Sequence, residues 1–283
     1  MDQLTCVPGD KKITHSRVAR FREKIYQHYA VHGRKMPWRA SRDPYHILVS
    51  EIMLQQTQVE RVVPKYEQFI ATFPDFFSLA QAPLREILAR WRGLGYNRRA
   101  ISLKKISQRV VAEYQGNLPD SVETLQTFQG VGPGTAGAIC AFAFNKPAVF
   151  IETNIRRVFI HCFFAGRNGI KDKEILPLVE RTLDTRCPRT WYHALMDYGV
   201  MLKHEEHNPN WRSAHYSRQS PFRGSNREIR GLILRILLEH GSLPKVELIR
   251  SVGRNPERVR PIIAQLITEG FLVRQGDLLR ISA

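Results

Sequence analysis

Cysteine is scarce in this chain and never paired. Cys6, Cys140, Cys162 and Cys187 stand far apart, with no CxxC. That spacing argues against a zinc knuckle and a disulfide framework and fits a reducing interior. No segment approaches the ~20 consecutive apolar residues of a membrane span. The opening MDQLTCVPGDKK has no apolar core of the kind a signal peptide carries, so an intracellular protein that avoids membranes is expected. Acidic residues are also few: Asp and Glu total 26 against 43 Lys and Arg, a net charge of +17. Such an excess does nothing for folding; it draws polyanions, nucleic acid first among them. A basic surface for a protein or ribosomal partner is the alternative.

What the chain does have is 283 residues, 43% of them hydrophobic, enough for one large core or a medium and a small one. From about residue 15 to 215 the apolar positions recur at helical spacing between Gly and Pro breaks, with no alternating run of useful length. This predicts eight to eleven short helices. The segment HNPNWRSAHYSRQSPFRGSN (207–226) loses the period and reads as a basic linker. Beyond it come a helix stopped by Gly241, a short helix, and a third helix with Asn255 as N-cap. Two alternating stretches then flank Gln275-Gly276-Asp277, a hairpin signal. That order is the order of a winged helix. The expected division is a tail at 1–14, a helical domain at 15–206, a linker at 207–225 and a winged-helix-like domain at 226–283.

One stretch invites a ligand. In TFQGVGPGTAGAI (127–139), Gly130, Gly132 and Gly134 permit positive φ and close backbone approach. The following helix begins with unpaired amides at its positive end, beside Thr135. Val131 should point into the core. Such a turn can grip a DNA phosphate without reading bases; a plain glycine-capped turn between helices has the same look.

The surrounding strings decide the matter at the level of family. With PWR (37–39), SEIMLQQTQV (50–59), GLGY (93–96) and FIETNIRRV (150–158), the hairpin makes residues 15–205 resemble the helix–hairpin–helix DNA glycosylases. Within these, the chain is most similar to the MutY-like A/G mismatch adenine glycosylases. The resemblance implies an all-α fold of two helical subdomains, followed here by the small winged-helix domain. It implies a monomeric base excision repair enzyme that acts on double-stranded DNA, extrudes a mismatched or damaged base and hydrolyses its N-glycosidic bond. Adenine opposite guanine or 8-oxoguanine is the favoured substrate. Thymine or another pyrimidine in a G·T-type mismatch is an alternative, as is a non-catalytic winged-helix regulator.

Breaking that bond calls for two carboxyl groups in different protonation states. Glu51, among apolar helix neighbours whose burial would raise its pKa, matches the catalytic glutamate that protonates adenine and then activates water. Without the resemblance it reads as a surface helical carboxylate. Glu152 stands where the family has an aspartate that supports the sugar cation. It is one methylene longer, a displacement of ~1.5 Å that can cost ~100-fold in rate; it also reads as a plain N-cap for the next helix. Asn154 matches an asparagine that supports the same charge.

Gly134 stands where relatives resembling endonuclease III carry a lysine and MutY-like proteins a Ser or Tyr. Without an amine no Schiff base forms, so a monofunctional enzyme without lyase activity is expected. Gln55, Gln56 and Tyr96 match residues that probe the duplex. Trp38, Arg39 and Asp197 match the wall of the base pocket. Arg92, Arg98, Arg99, Lys104, Lys105, Arg156 and Arg157 are candidate phosphate contacts.

The family closes this domain with four cysteines around an iron–sulfur cluster. No cysteine follows Cys187 here, so no cofactor and no metal site is expected. His204, His207 and His215 are too loosely spaced to make a convincing zinc set.

Overall fold

The computed structural model describes residues 13–203 and 208–283. The helices run α1 (His15–His32), α2 (Pro37–Ala40), α3 (Pro44–Leu54), α4 (Val59–Thr72), α5 (Phe76–Gln81) and α6 (Leu84–Trp91). They continue with α7 (Arg98–Tyr114), α8 (Val122–Gln126), α9 (Pro133–Phe144), α10 (Thr153–Phe163), α11 (Asp172–Thr182) and α12 (Pro188–Lys203). A 3-10 turn (Pro209–Arg212) leads to α13 (Asn226–His240), β1 (Ser242–Pro244), α14 (Lys245–Val252), α15 (Pro256–Thr268), β2 (Leu272–Gln275) and β3 (Leu278–Ile281). The fold is all-α apart from that last small sheet.

Among the described residues, twelve helices precede residue 204, more than the eight to eleven expected. The short pieces α2 and α5 account for part of the excess, because one turn shows no period to read. Local chemistry makes α5: Asp75 accepts from the Ser78 amide while the Ser78 hydroxyl answers to the Asp75 backbone, a reciprocal cap.

The chain packs as two compact units, and neither is a continuous stretch. Unit 1 gathers the described residues within 1–47, 120–127 and 131–218; unit 2 gathers 48–119, 128–130 and 219–283. In unit 1, Phe21 of α1 meets Phe159, Phe163 and Trp191 edge-on at 5.0–5.8 Å between ring centres. In unit 2, Phe69 of α4 packs edge-on against Phe73 and Trp91. Such pairs add to the transfer free energy of the buried rings.

The C-terminal elements lie within unit 2. Asn255 caps α15 by accepting from the Glu257 amide, and β2 and β3 close through Gly276 (φ +58°) and Asp277. The sheet order is β1-β3-β2, all antiparallel. β1 has three residues and ends in proline, too little for an alternation to show in sequence.

The first part of the stretch read as a linker is structured where it is described. Asn208 caps the 3-10 turn. Ile170 donates its amide to the Arg212 carbonyl, and Ala214 donates to the Ile170 carbonyl. Composition missed this because the partners lie some forty residues away.

Candidate active site

The hairpin between α8 and α9 holds its shape with one glycine in the left-handed region, not three. Gly130 has φ +87°, and a Cβ there would sit 3.0 Å from the Ser102 hydroxyl. Gly132 is extended (φ −87°, ψ 176°) with open space where a Cβ would go. Gly134 lies in the first turn of α9, where a Cβ would come 3.3 Å from the Ile151 carbonyl. Of the three glycines that permit positive φ, only Gly130 uses it; extended and helical backbone make the turn at the other two. Val131 is buried. The first intrahelical bond of α9 runs from the Ala136 amide to the Gly132 carbonyl. Gly134 and Thr135 therefore present the leading amides of the helix.

In unit 2, Glu51 is half-buried near the end of α3, flanked by the fully buried Ser50 and Ile52. The end of that helix is organised by Arg99, a residue sequence reasoning placed on a phosphate. Arg99 is only 8% exposed. One guanidinium nitrogen donates to the carbonyls of Ile52, Met53 and Gln55 at 3.0, 2.7 and 2.6 Å. The other donates to the carbonyls of Leu94 and Gly95 and to the Thr57 hydroxyl at 3.2, 3.0 and 3.0 Å. Burial pulls its pKa down to about 10, so the cation persists at neutral pH. Arg99 thus ties the α3 end to the GLGY loop. The sequence held the signal, since Arg99 shares a helical face with Leu103, Ile106 and Val110, all buried.

The three duplex-probing candidates fall in the same unit. The Gln55 amide donates to the Gly130 carbonyl at 3.1 Å. Gln56 (φ +54°) and Tyr96 (φ +47°) both occupy the left-handed region, which side chains other than glycine avoid.

In unit 1, Glu152 is the N-cap of α10. One carboxylate oxygen accepts from the amides of Asn154 and Ile155 at 2.7 and 2.8 Å; the other accepts from the Asn154 side chain at 3.2 Å. Burial pushes its pKa up, against the pull of those two amides and of the Arg157 and Arg156 charges. Asn154 in turn accepts from Arg157 at 2.7 Å.

Arg157 is the second misplaced phosphate candidate. It is 4% exposed and also donates to the Gly199 carbonyl at 2.6 Å and to Asn208 at 3.0 Å. Asn210 donates to the Thr153 carbonyl at 2.9 Å. α12 can come this near to α10 because residue 199 is glycine: a Cβ would lie 2.6 Å from the Asn154 carbonyl oxygen.

Arg39 and Asp197, two of the three base-pocket candidates, are partners of each other. Arg39 grips the carboxylate with both terminal nitrogens at 2.7 and 2.9 Å. Arg34, which sequence reasoning did not single out, adds its side chain at 2.6 Å and its amide at 2.8 Å. Burial works to raise the Asp197 pKa, but these donors hold it below the usual carboxylate range. Trp38 is 5% exposed. Nearby His193 stacks on Phe142 with ring centres 4.5 Å apart. Burial, helped by the Arg39 charge, pushes its pKa down to about 3.

Several remaining cations have protein partners. Arg156 forms a two-pronged pair with Asp172 at 2.7 Å. Arg98 pairs with Glu269, Arg92 with Glu239, and Lys104 donates to the Ala82 carbonyl. Lys105 is exposed.

Among the described residues no three His, Cys, Asp or Glu come together as a metal site. His204 and His207 lie outside the described residues, and His215 is exposed. An iron–sulfur cluster of the family's kind does not fit this chain, which offers no cysteine after α12 and packs Asn208 and Asn210 onto α10 there. No described helix is long and apolar enough to cross a membrane.

A family model described as HhH-GPD superfamily base excision DNA repair protein matches residues 49–184. An adenine DNA glycosylase of Mycolicibacterium smegmatis is 33% identical over 264 residues, which take in 86% of this chain and 89% of that relative. The chain belongs to the HhH-GPD superfamily. An adenine DNA glycosylase of Buchnera aphidicola subsp. Baizongia pistaciae is 36% identical over 187 residues, 64% of this chain and 52% of the relative. Against relatives of that length the chain spans about half. Among solved structures, that of a thermostable thymine-DNA glycosylase aligns with a TM-score of 0.61 at 26% identity, over 70% of this chain and 93% of that one. The HhH-GPD match takes in Glu51, Gln55, Gln56, Tyr96, the hairpin, Glu152 and Asn154. It leaves out Arg39, Asp197 and Asn208.

Proposed function

We propose that this HhH-GPD protein is a monofunctional adenine DNA glycosylase of base excision repair. It acts as a monomer on duplex DNA and removes adenine opposite guanine or 8-oxoguanine. The observation that carries the proposal is the similarity along nearly the full length of a relative named for that reaction. The net charge of +17 suits a DNA partner.

In the proposed reaction Glu51 donates a proton to the extruded adenine, and the glycosidic bond breaks with its electron pair leaving on the base. By its likeness to the family's aspartate, Glu152, aided by Asn154, has the part of the anion that supports the sugar cation. The Glu51 carboxylate then takes a proton from the water that adds to C1′, giving free adenine and an abasic site. Glu152 must be ionised for this role while its pKa is raised. Activity should therefore fall on acidification from a higher pH than an ordinary glutamate would set. Gly134 offers no amine for a Schiff base, so the strand stays intact. The reaction uses no iron–sulfur cluster. The leading amides of α9, with Arg98 and Arg156, are the proposed phosphate contacts.

Duplexes carrying A·8-oxoguanine, A·G, A·C, G·T or G·U provide the test, scored for strand breaks with and without hot alkali. Alkali-dependent breaks at adenine, lost in Glu51→Gln by at least ~100-fold, are expected. Breaks without alkali would remove the monofunctional reading, and excision confined to G·T would move the substrate to thymine.

A further inference from the structure

The C-terminal elements have no assigned part in the reaction, yet they grip the loop that carries Tyr96. The Tyr96 hydroxyl accepts from Arg227 at 2.6 Å and is also bonded to the Gln219 side chain. Arg227 and Arg99 both lie within cation–π range of the Tyr96 ring, at 5.3 and 5.5 Å from its centre. Arg227 is itself tied down by the Ser220 carbonyl at 2.5 Å, on a helix that Ser225 caps.

Three other bonds fasten the same region, and a fourth braces one of their partners. Arg98 pairs with Glu269, which also receives Arg230 at 2.5 Å; Arg92 pairs with Glu239, and Arg85 donates to the Leu238 carbonyl. A bulky aromatic residue at φ +47° persists only where its surroundings over-determine it. Here they do, from both its own loop and α13.

We propose that Arg227, with Gln219, is a positioning residue that presets Tyr96 for insertion into the duplex, so that the C-terminal elements act on base extrusion through this side chain. The inference rests on the reading of Tyr96 as a duplex-probing residue. Holding the ring in its working pose removes ordering cost from the encounter with DNA. The contact is specific to the phenol oxygen and to a fork of guanidinium donors, which lysine cannot reproduce in full.

The test measures unstacking apart from chemistry. A duplex with 2-aminopurine next to an A·8-oxoguanine pair brightens when a neighbouring base is extruded or wedged. With the full chain, Arg227→Ala should cut the rise in fluorescence severalfold. It should slow single-turnover excision about 10-fold, the equivalent of one positioning hydrogen bond, and Arg227→Lys should recover part of both. Tyr96→Phe should lose as much, and adding Arg227→Ala to it should lose nothing more.

An Arg227→Ala variant that folds and brightens the probe like the unaltered protein overturns the proposal. So does one that brightens it more, which would make Arg227 a latch, or one whose loss is undiminished in the Tyr96→Phe background. If Arg227→Ala does not fold, Arg227→Lys and Gln219→Ala carry the same comparison. Should the unaltered protein leave the probe dark, the reading of Tyr96 fails first, and that outcome is distinct from all the others.

Discussion

Each unit of this protein buries one arginine at an end of the helix that carries a candidate catalytic carboxylate or is capped by it, and the two arginines are satisfied in opposite ways. Arg99 in unit 2 spends its donors almost wholly on backbone carbonyls, of Ile52, Met53, Gln55, Leu94, Gly95 and Tyr96. Those acceptors exist whatever side chains the neighbours carry. Arg157 in unit 1 relies on the side chains of Asn154 and Asn208, with the Gly199 carbonyl as its one backbone acceptor among the described residues. It also belongs to a neighbourhood that titrates, with Glu152, Asp197 and His193 all carrying shifted pKa values. Arg99 is thus a cation whose acceptors do not change with pH, whereas the surroundings of Arg157 include groups that do.

The severest way to break this contrast is Arg99→Met, which withdraws the guanidinium from six carbonyls. We expect a loss of about 4 kcal/mol in urea unfolding, with hydrogen exchange quickening in the 93–98 loop and the end of α3. A loss below 1 kcal/mol would mean that water replaces the guanidinium at little cost.

Acid sharpens the contrast next. His193 is held neutral, so the unfolded chain takes up its proton first; stability is present above pH ~6.5 and drains away as pH falls toward 3. A folded value near 3 against ~6.5 unfolded gives a loss of about 2 kcal/mol between pH 7 and 5. Asp197, with a lowered pKa, acts in the same direction at lower pH, and Glu152, with a raised one, acts against it. Protection of α12 should therefore weaken on acidification before that of α7. His193→Phe should flatten the change, and equal weakening in both units would dissolve the distinction.

The mildest change is Asn208→Ala, which removes one acceptor of Arg157 and leaves the other two. About 1 kcal/mol is expected in thermal or urea unfolding. No comparable single side-chain deletion exists among the carbonyl partners of Arg99.

Much of the architecture was legible because it is written locally. Asn255 caps its helix with its own side chain, and the Gly276-Asp277 turn is a two-residue signal between alternating stretches. The hairpin was legible too, although only Gly130 turns out to need its glycine for a left-handed backbone. The carboxylates could be named from their strings. What surrounds them could not, because an arginine on a helix carries no mark of whether its partner is water, phosphate or a carbonyl forty residues away. Arg99 had a partial mark in its alignment with Leu103, Ile106 and Val110. Asn208 and Asn210 had none, since they sit in a polar stretch and their partners, Arg157 and Thr153, lie some fifty residues away.

The path of the chain through its units has a consequence for how the molecule is made. Synthesis proceeds from the N-terminus, and unit 1 has all of its residues once position 218 has emerged. Unit 2 opens at residue 48 but draws on everything from 219 to 283. Glu51 and the GLGY loop therefore emerge from the ribosome long before the helices that complete their unit. Contacts of such long sequence separation form late and slowly. Shortening the chain at residue 218 would strip the waiting half of its closing partners, so the last sixty-five residues behave as a folding component and not as an appendage.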